Sequence, residues 1–150
     1  MSPMENKKWH RPFKKEIGIG TPYGVKGNQW KKGFHEGDDF LAPFGSPVEA
    51  GDTGTVAWAG DGGDGFGRYV RLDHPDGTRS YYPHLSEIHV AVGDVVEKEQ
   101  IFCKSGNSGN VWHEGHRVTE EERKKKLGAH FHFQVKDKDG NSFKPLYEEA

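Results

Sequence analysis

The sequence predicts an all-β domain built on an antiparallel sheet core, and two observations carry that expectation. Of its 150 residues, 21 are Gly and 8 are Pro while only 32% are hydrophobic, a composition suited to short strands and tight turns rather than to a helical bundle. Short apolar or alternating segments also recur at residues 40–42, 55–59, 69–72, 80–82, 100–103 and 130–135, most with Gly, Pro or Asp nearby. The length suits a single domain with a single core.

Residues 1–16 are charged and without periodicity, so they are expected to form a basic arm, flexible or loosely docked, ahead of a folded domain over 17–150. Residues 1–32 hold eight Lys and Arg against Glu5 and Glu16, a local +6 within a formal net charge of -2. Such an arm suits contact with an anionic envelope polymer, or simple solubility. The near-neutral whole gives no case for a nucleic-acid partner. The glycines at 60, 62, 63, 65 and 67 precede a strand-like run rather than a helix, which makes them a hairpin connection and not a phosphate loop.

One segment reads as a helix, residues 119–127. Thr119 and Glu122 have capping-box spacing, Glu120, Glu121 and Glu122 each precede a Lys by four residues, and Gly128 follows. Cys103 is the lone cysteine, so no intrachain disulfide forms; beside Ile101 and Phe102 it reads as a buried structural thiol. No run is long and apolar enough to span a membrane, and the first residues lack the apolar stretch of a secretory signal. The expectation is a monomer made in the cytoplasm without stable membrane insertion; a substrate beyond the membrane would then require release or delivery.

Nine histidines hold most of the chemistry. His35 and Asp39 are a nitrogen and an oxygen donor of the kind zinc takes. Four residues apart on a straight strand, their Cβ atoms would lie about 13 Å apart; Gly37 between them can supply a bend. From spacing alone, a metal pair and an ordinary loop both stay open. In the alternating run from His130 to Val135, His130, His132 and Gln134 share one face while Phe131, Phe133 and Val135 share the other. Two imidazoles about 7 Å apart at Cβ can serve one site in different roles. His84, in Tyr82-Pro83-His84-Leu85, reads by itself as a surface or strand-end residue. His113-Glu114-Gly115-His116 lacks the spacing of the helical HExxH zinc motif, and His10, His74 and His89 are assigned no role.

Taken in order, these segments resemble the lysostaphin/LytM family of zinc endopeptidases from about Ile17 to Tyr147. The resemblance rests on Pro22-Tyr23-Gly24, on His35-Glu36-Gly37-Asp38-Asp39-Phe40-Leu41-Ala42-Pro43, on the Gly54 to Gly60 strand, on Tyr82-Pro83-His84-Leu85, on Ser105-Gly106-Asn107-Ser108-Gly109 and on His130-Phe131-His132-Phe133. It implies the lysostaphin-type (duplicated hybrid motif-like) fold, with one Zn2+ per chain held by His35, Asp39 and His132 and a fourth position for water. It further implies His84 and His130 as flanking catalytic groups, one a general base and the other an oxyanion stabiliser or proton donor. Bacterial peptidoglycan is the implied partner and hydrolysis of its peptide cross-links the implied reaction, in the setting of a phage or prophage lysin.

Two departures from the family pattern stand out. Gln134 replaces a common Glu, and residues 111–127 are inserted before the HxH strand, either bordering the cleft or forming a surface excursion. Two other functions suit related scaffolds. A non-catalytic regulator of wall hydrolases would tend to lack a ligand, and a phosphocarrier with paired histidines would not need Asp39.

Overall fold

The computed structural model describes residues 6–63, 65–109, 111–113 and 115–148. In chain order its strands are β1 (Lys8–Trp9), β2 (Ile19–Thr21), β3 (Asp38–Phe40), β4 (Pro47–Glu49), β5 (Gly54–Asp61), β6 (Arg68–Asp73), β7 (Arg79–Tyr82) and β8 (Leu85–Ile88). There follow β9 (Val95–Val96), β10 (Ile101–Ser105), β11 (Trp112–His113), β12 (His116–Arg117), the helix α1 (Glu120–Lys124), β13 (Phe131–Lys136), β14 (Ser142–Phe143) and β15 (Leu146–Tyr147). The main sheet runs β2-β3-β13-β7-β6-β5-β9, with β14 also on β13, and a second sheet runs β4-β10-β8. Both are antiparallel, as expected. The glycine-rich segment joins β5 to β6 as a hairpin.

The core lies where the inward faces of the two sheets meet. Phe131, Phe133 and Val135 of β13 join Phe40, Val56, Val70, Leu72 and Tyr82 of the main sheet, while Val48, Leu85, Phe102 and Cys103 come from the second. The strand expected at 40–42 lies instead at Asp38–Phe40, because its ladder pairs Phe40, Asp39 and Asp38 with Phe131, His132 and Phe133. His74 is a structural group: buried, its Nδ1–H donates to Thr53 O at 2.8 Å, and its Nε2 lies 2.8 Å from Ser80 Oγ.

Two expectations need correction. Over residues 6–16 the basic segment is not a loosely attached arm. Trp9 is 0% exposed and sits edge-on against His74 and Phe133, and Phe13 packs on Phe40 and Phe131. β1 pairs with β15, and in parallel. Lys7 ties the segment to Asp52 and Asp76. Two aromatic side chains in a polar stretch have no periodicity to read, yet their burial outweighs the charges around them, which stay at the surface.

The helix is also shorter than 119–127. Its capping box forms as expected, Glu122 N–H donating to Thr119 Oγ1 and Thr119 N–H to Glu122 Oε1, but Lys125 is already the C-cap. None of its residues is buried, so no packing extends it past what local interactions support. Arg123 pairs with Glu120, and Glu122 with His116 of the neighbouring hairpin.

The burial of Trp9 generates a test. Trp9→Ala is expected to cost about 3–5 kcal/mol of unfolding free energy in urea titrations. Trp9→Phe should cost clearly less, because the Trp9 Nε1–H is a buried donor without a hydrogen-bond partner and Phe removes it. Equal stability of Trp9→Ala and wild type would show that the segment does not contribute to the core.

Candidate metal centre

Strand pairing joins two of the candidate ligands. His132 of β13 stands directly opposite Asp39 of β3, where cross-strand Cβ atoms are about 4.5–5.5 Å apart. His132 Nδ1 lies 2.9 Å from Asp39 Oδ1. Strand alternation selects between the adjacent aspartates. Asp38 points inward, 1% exposed, and accepts from Tyr23 N–H and Tyr147 Oη–H at 2.7 Å each. Asp39 is left on the cleft side.

His35 arrives by a different route. β3 begins only at Asp38, and the chain bends at Gly37, which brings His35 Nε2 to 3.2 Å from Asp39 Oδ1. Gly37 has a second reason to be glycine: a Cβ there would stand 2.8 Å from the His132 ring and closer still to the Phe133 carbonyl oxygen. The three donor atoms all lie within 4.8 Å of one another, and no other such group of His, Cys, Asp or Glu occurs among the described residues.

Hydrogen bonds on the far side of each ring decide what faces the centre. His35 Nδ1 is 3.2 Å from Pro22 O and His132 Nε2 is 2.8 Å from Gln134 Oε1. An oxygen with no proton can only accept, so those nitrogens are the donors. In their neutral forms the rings therefore turn lone pairs toward Asp39, whereas a ring carrying a second proton donates it to that carboxylate. Three lone pairs that converge repel unless a cation joins them, and the set of two imidazoles and one carboxylate suits zinc. The protons of the metal-free protein answer to the same field. Burial opposes charging of His35, but the hydrogen bond and charge of Asp39 outweigh it and raise its pKa. Burial likewise opposes ionisation of Asp39, but the bonds from His132 and His35 hold its carboxyl well below the usual range. Gln134, in place of the common carboxylate, supplies the acceptor oxygen that orients His132.

His84 and His130 lie beside this centre, their ring centroids 5.0 Å apart. His84 Nδ1–H donates to Ser108 O at 2.7 Å and His130 Nδ1–H to Gly128 O at 3.1 Å. Each thereby keeps its lone pair on Nε2. The His84 backbone has φ 57°, a left-handed conformation that a side chain with a Cβ rarely takes, held by its N–H bond to Phe66 O at 2.8 Å. Burial, with the His130 and His132 rings adding to it, pushes the His84 pKa down to about 3.

All five histidine and aspartate candidates line one cleft of about 560 Å³, together with Trp30, Phe66 and Trp112. Trp112, 56% exposed, comes from the 111–127 insert, so that insert borders the cleft. By sequence Trp30 and Phe66 had no assigned role, and Trp112 entered only as part of the insert expected either to border the cleft or to form a surface excursion. Their signal was faint: a Trp just ahead of His35, a Phe within a glycine run and a Trp at the start of the insert. The carbonyls of Pro22, Ser108 and Gly128 have no residue-type signal.

The profile of Peptidase family M23 matches residues 33–145. Lysostaphin of Staphylococcus simulans is 39% identical over 103 residues, 67% of this chain and 20% of that protein. Glycyl-glycine endopeptidase ALE-1 of Staphylococcus capitis is also 39% identical over 103 residues, 67% of this chain and 27% of that protein. The chain thus spans about a fifth to a quarter of the length of these relatives. Among solved structures, the catalytic domain of the antimicrobial peptidase lysostaphin superposes with a TM-score of 0.68 at 30% identity, covering 87% of this chain and 90% of that one. The catalytic domain of the prophage-encoded M23 protein EnpA of Enterococcus faecalis gives 0.69 at 26% identity, covering 91% and 94%.

Two tests follow from the geometry. Gly37→Ala is expected to weaken zinc binding about 10–100-fold in chelator competition, since the new methyl displaces the His132 ring; unchanged affinity would show that the close approach is not needed. The lowered His84 pKa means that the folded state resists a proton the unfolded chain accepts. Its contribution to stability is complete above pH 6.5 and is lost as pH falls from there towards about 3. NMR titration of the metal-free protein should find His84 uncharged at pH 5, and the acid loss of stability should be shallower in His84→Gln. A His84 ring that titrates near its ordinary value would refute this.

Proposed function

The chain belongs to Peptidase family M23, and on that premise we propose that it is a zinc-dependent endopeptidase hydrolysing peptide cross-links of bacterial cell-wall peptidoglycan. The observation that supports this best is the convergence of His35, Asp39 and His132 donor atoms within 4.8 Å, next to two further histidines that each keep a free lone pair on the cleft side of a fixed tautomer. In this reading His35 Nε2, Asp39 Oδ1 and His132 Nδ1 hold the ion. Zinc, when bound, supplies Lewis-acid activation of a water molecule and of the scissile carbonyl.

The chain's own residues supply proton transfer and orientation. His130 and His84, each with Nδ1–H committed to a backbone carbonyl, offer Nε2 as acceptor for the proton that the attacking water loses. The ring that takes this proton is then the donor for the leaving amine, so the peptide C–N bond breaks with the amine neutral, and the water's second proton stays on the new carboxyl group until that group ionises to solvent. Resting His84 has no Nε2 proton with which to bind an oxyanion, which favours proton transfer over oxyanion stabilisation as its role. Trp30, Phe66 and Trp112 wall the cleft and limit water around the reacting bond.

The likeness to a prophage-encoded catalytic domain supports a phage or prophage lysin as the biological setting. No described helix is long and apolar enough to cross a membrane.

Purified protein is expected to clear suspensions of permeabilised susceptible cells and to lose this activity on chelation, with recovery on adding zinc. His132→Ala should lose both zinc and clearing. His130→Ala should keep zinc but fall about 10²–10⁴-fold in kcat. Failure to release wall peptides under any metal condition would overturn the proposal, and full biological activity of His132→Ala would indicate a non-catalytic regulator.

A further inference from the structure

The insert that separates the Asn107-Ser108-Gly109 loop from β13 returns to that loop. Val118 N–H donates to Val111 O at 2.9 Å, and both side chains are buried, which closes the excursion on itself. From there α1 and the loop exchange hydrogen bonds in both directions. Asn107, 4% exposed, donates from Nδ2 to Arg123 O at 3.1 Å and to Leu127 O at 2.9 Å, tying the loop to carbonyls at and beyond the end of the helix. Arg123 answers with its guanidinium, one nitrogen on Asn107 O and another on Gly109 O at 3.1 Å. The two carbonyls it grips flank Ser108 on either side. Ser108 O is the acceptor for His84 Nδ1–H.

We propose that Arg123 is a positioning residue for His84: by clamping the carbonyls of Asn107 and Gly109, it fixes the direction of the Ser108 carbonyl between them and so holds His84 in the Nδ1–H tautomer. The catalytic consequence rests on the role given to His84 above; the tautomer itself does not.

Three features argue that this clamp is aimed at the histidine. The fork of a guanidinium spans two acceptors in fixed geometry, which a lone charge cannot do. Among the described residues Ser108 is held elsewhere through its side chain, its Oγ donating to Leu85 O at 2.9 Å and accepting from Arg68 N–H at 3.1 Å, and through close packing of the 108–109 peptide on Gly67. Packing limits where that peptide sits, and the hydrogen bonds to the carbonyls on either side of it set its tilt. Finally, His84 has the left-handed backbone described above, so its ring direction depends on outside support. If Ser108 O turned away, Nε2–H would become as favourable as Nδ1–H, and the ring would present a proton where the lone pair is needed.

The test uses the zinc-loaded full chain with 15N-labelled histidine. Long-range 15N–1H spectra of the wild type are expected to show His84 in the Nδ1–H form alone. In Arg123→Ala the ring should populate both tautomers, and kcat on peptidoglycan should fall about 10–100-fold with zinc stoichiometry unchanged. KM should stay within about twofold, because the loss is confined to the chemical step. Arg123→Lys should lie between the two, and Glu120→Ala, which removes an 85% exposed partner of Arg123 Nε, should leave the His84 spectrum unchanged. An Arg123→Ala protein with lowered Tm but an unaltered His84 tautomer would reduce the clamp to a structural brace and overturn the proposal, as would a wild-type His84 protonated on Nε2. If Arg123→Ala does not fold, Arg123→Lys decides by the same spectra. A tautomer that responds to Arg123 in a protein that hydrolyses no wall peptide would refute the peptidase reading and leave the clamp standing.

Discussion

The register of β13 against β3 is the constraint on which the remaining structure depends. Strand side chains alternate, so a slip of β13 by one residue against β3 would exchange the two faces of β13. Phe131 and Phe133 would be driven toward the cleft, and Asp38 would replace Asp39 beside His132. What prevents this is apolar burial of Phe40, Phe131 and Phe133, worth a few kcal/mol for each ring. The hydrophobic core therefore aims the metal-binding face. The polar contacts favour the same register: Asp38 keeps its buried bonds to Tyr23 and Tyr147, and Asp39 its contact with His132.

A second principle runs through the site. The acceptors that set the four histidine tautomers are three backbone carbonyls, of Pro22, Ser108 and Gly128, and one neutral amide, Gln134. None of these carries charge or titrates, so the rings are oriented without adding to the negative field of Asp39. A carboxylate on His132 would draw its proton and make it a more basic donor; an amide leaves it less so. Orientation by the main chain also ties each ring to a loop, and loops are where families differ most. In this chain the loop carrying Ser108 is joined to an insert.

The legibility of the sequence followed the range of the forces involved. The face shared by His130 and His132 could be read from alternation, and the cap at Thr119 from local spacing, because both are set within a few residues. Gly37 was read as a bend, and a bend is there, but its contact with the His132 ring joins positions 95 residues apart in sequence and left no local trace. The same holds for Trp9: a single aromatic among lysines gives no period, and only the folded neighbours, His74 and Phe133, reveal where it goes. The helix was overextended because Glu-to-Lys spacing counts local pairs and is blind to the absence of a buried face. His84 was the weakest of the five candidates by sequence. Its left-handed backbone and its bond to Ser108 O are three-dimensional facts that no residue type announces.

The parallel pairing of β1 with β15 has a mechanical consequence. Lys8 and Trp9 lie beside Leu146 and Tyr147 with both strands running the same way, so the two ends of the fold leave this pair in opposite directions. Tension between them would load the ladder in shear, all of its hydrogen bonds at once, instead of peeling them singly. The buried Trp9 indole acts as a bolt behind that short ladder. Force transmitted along the chain would meet this clasp before it reached the strands that carry the histidines.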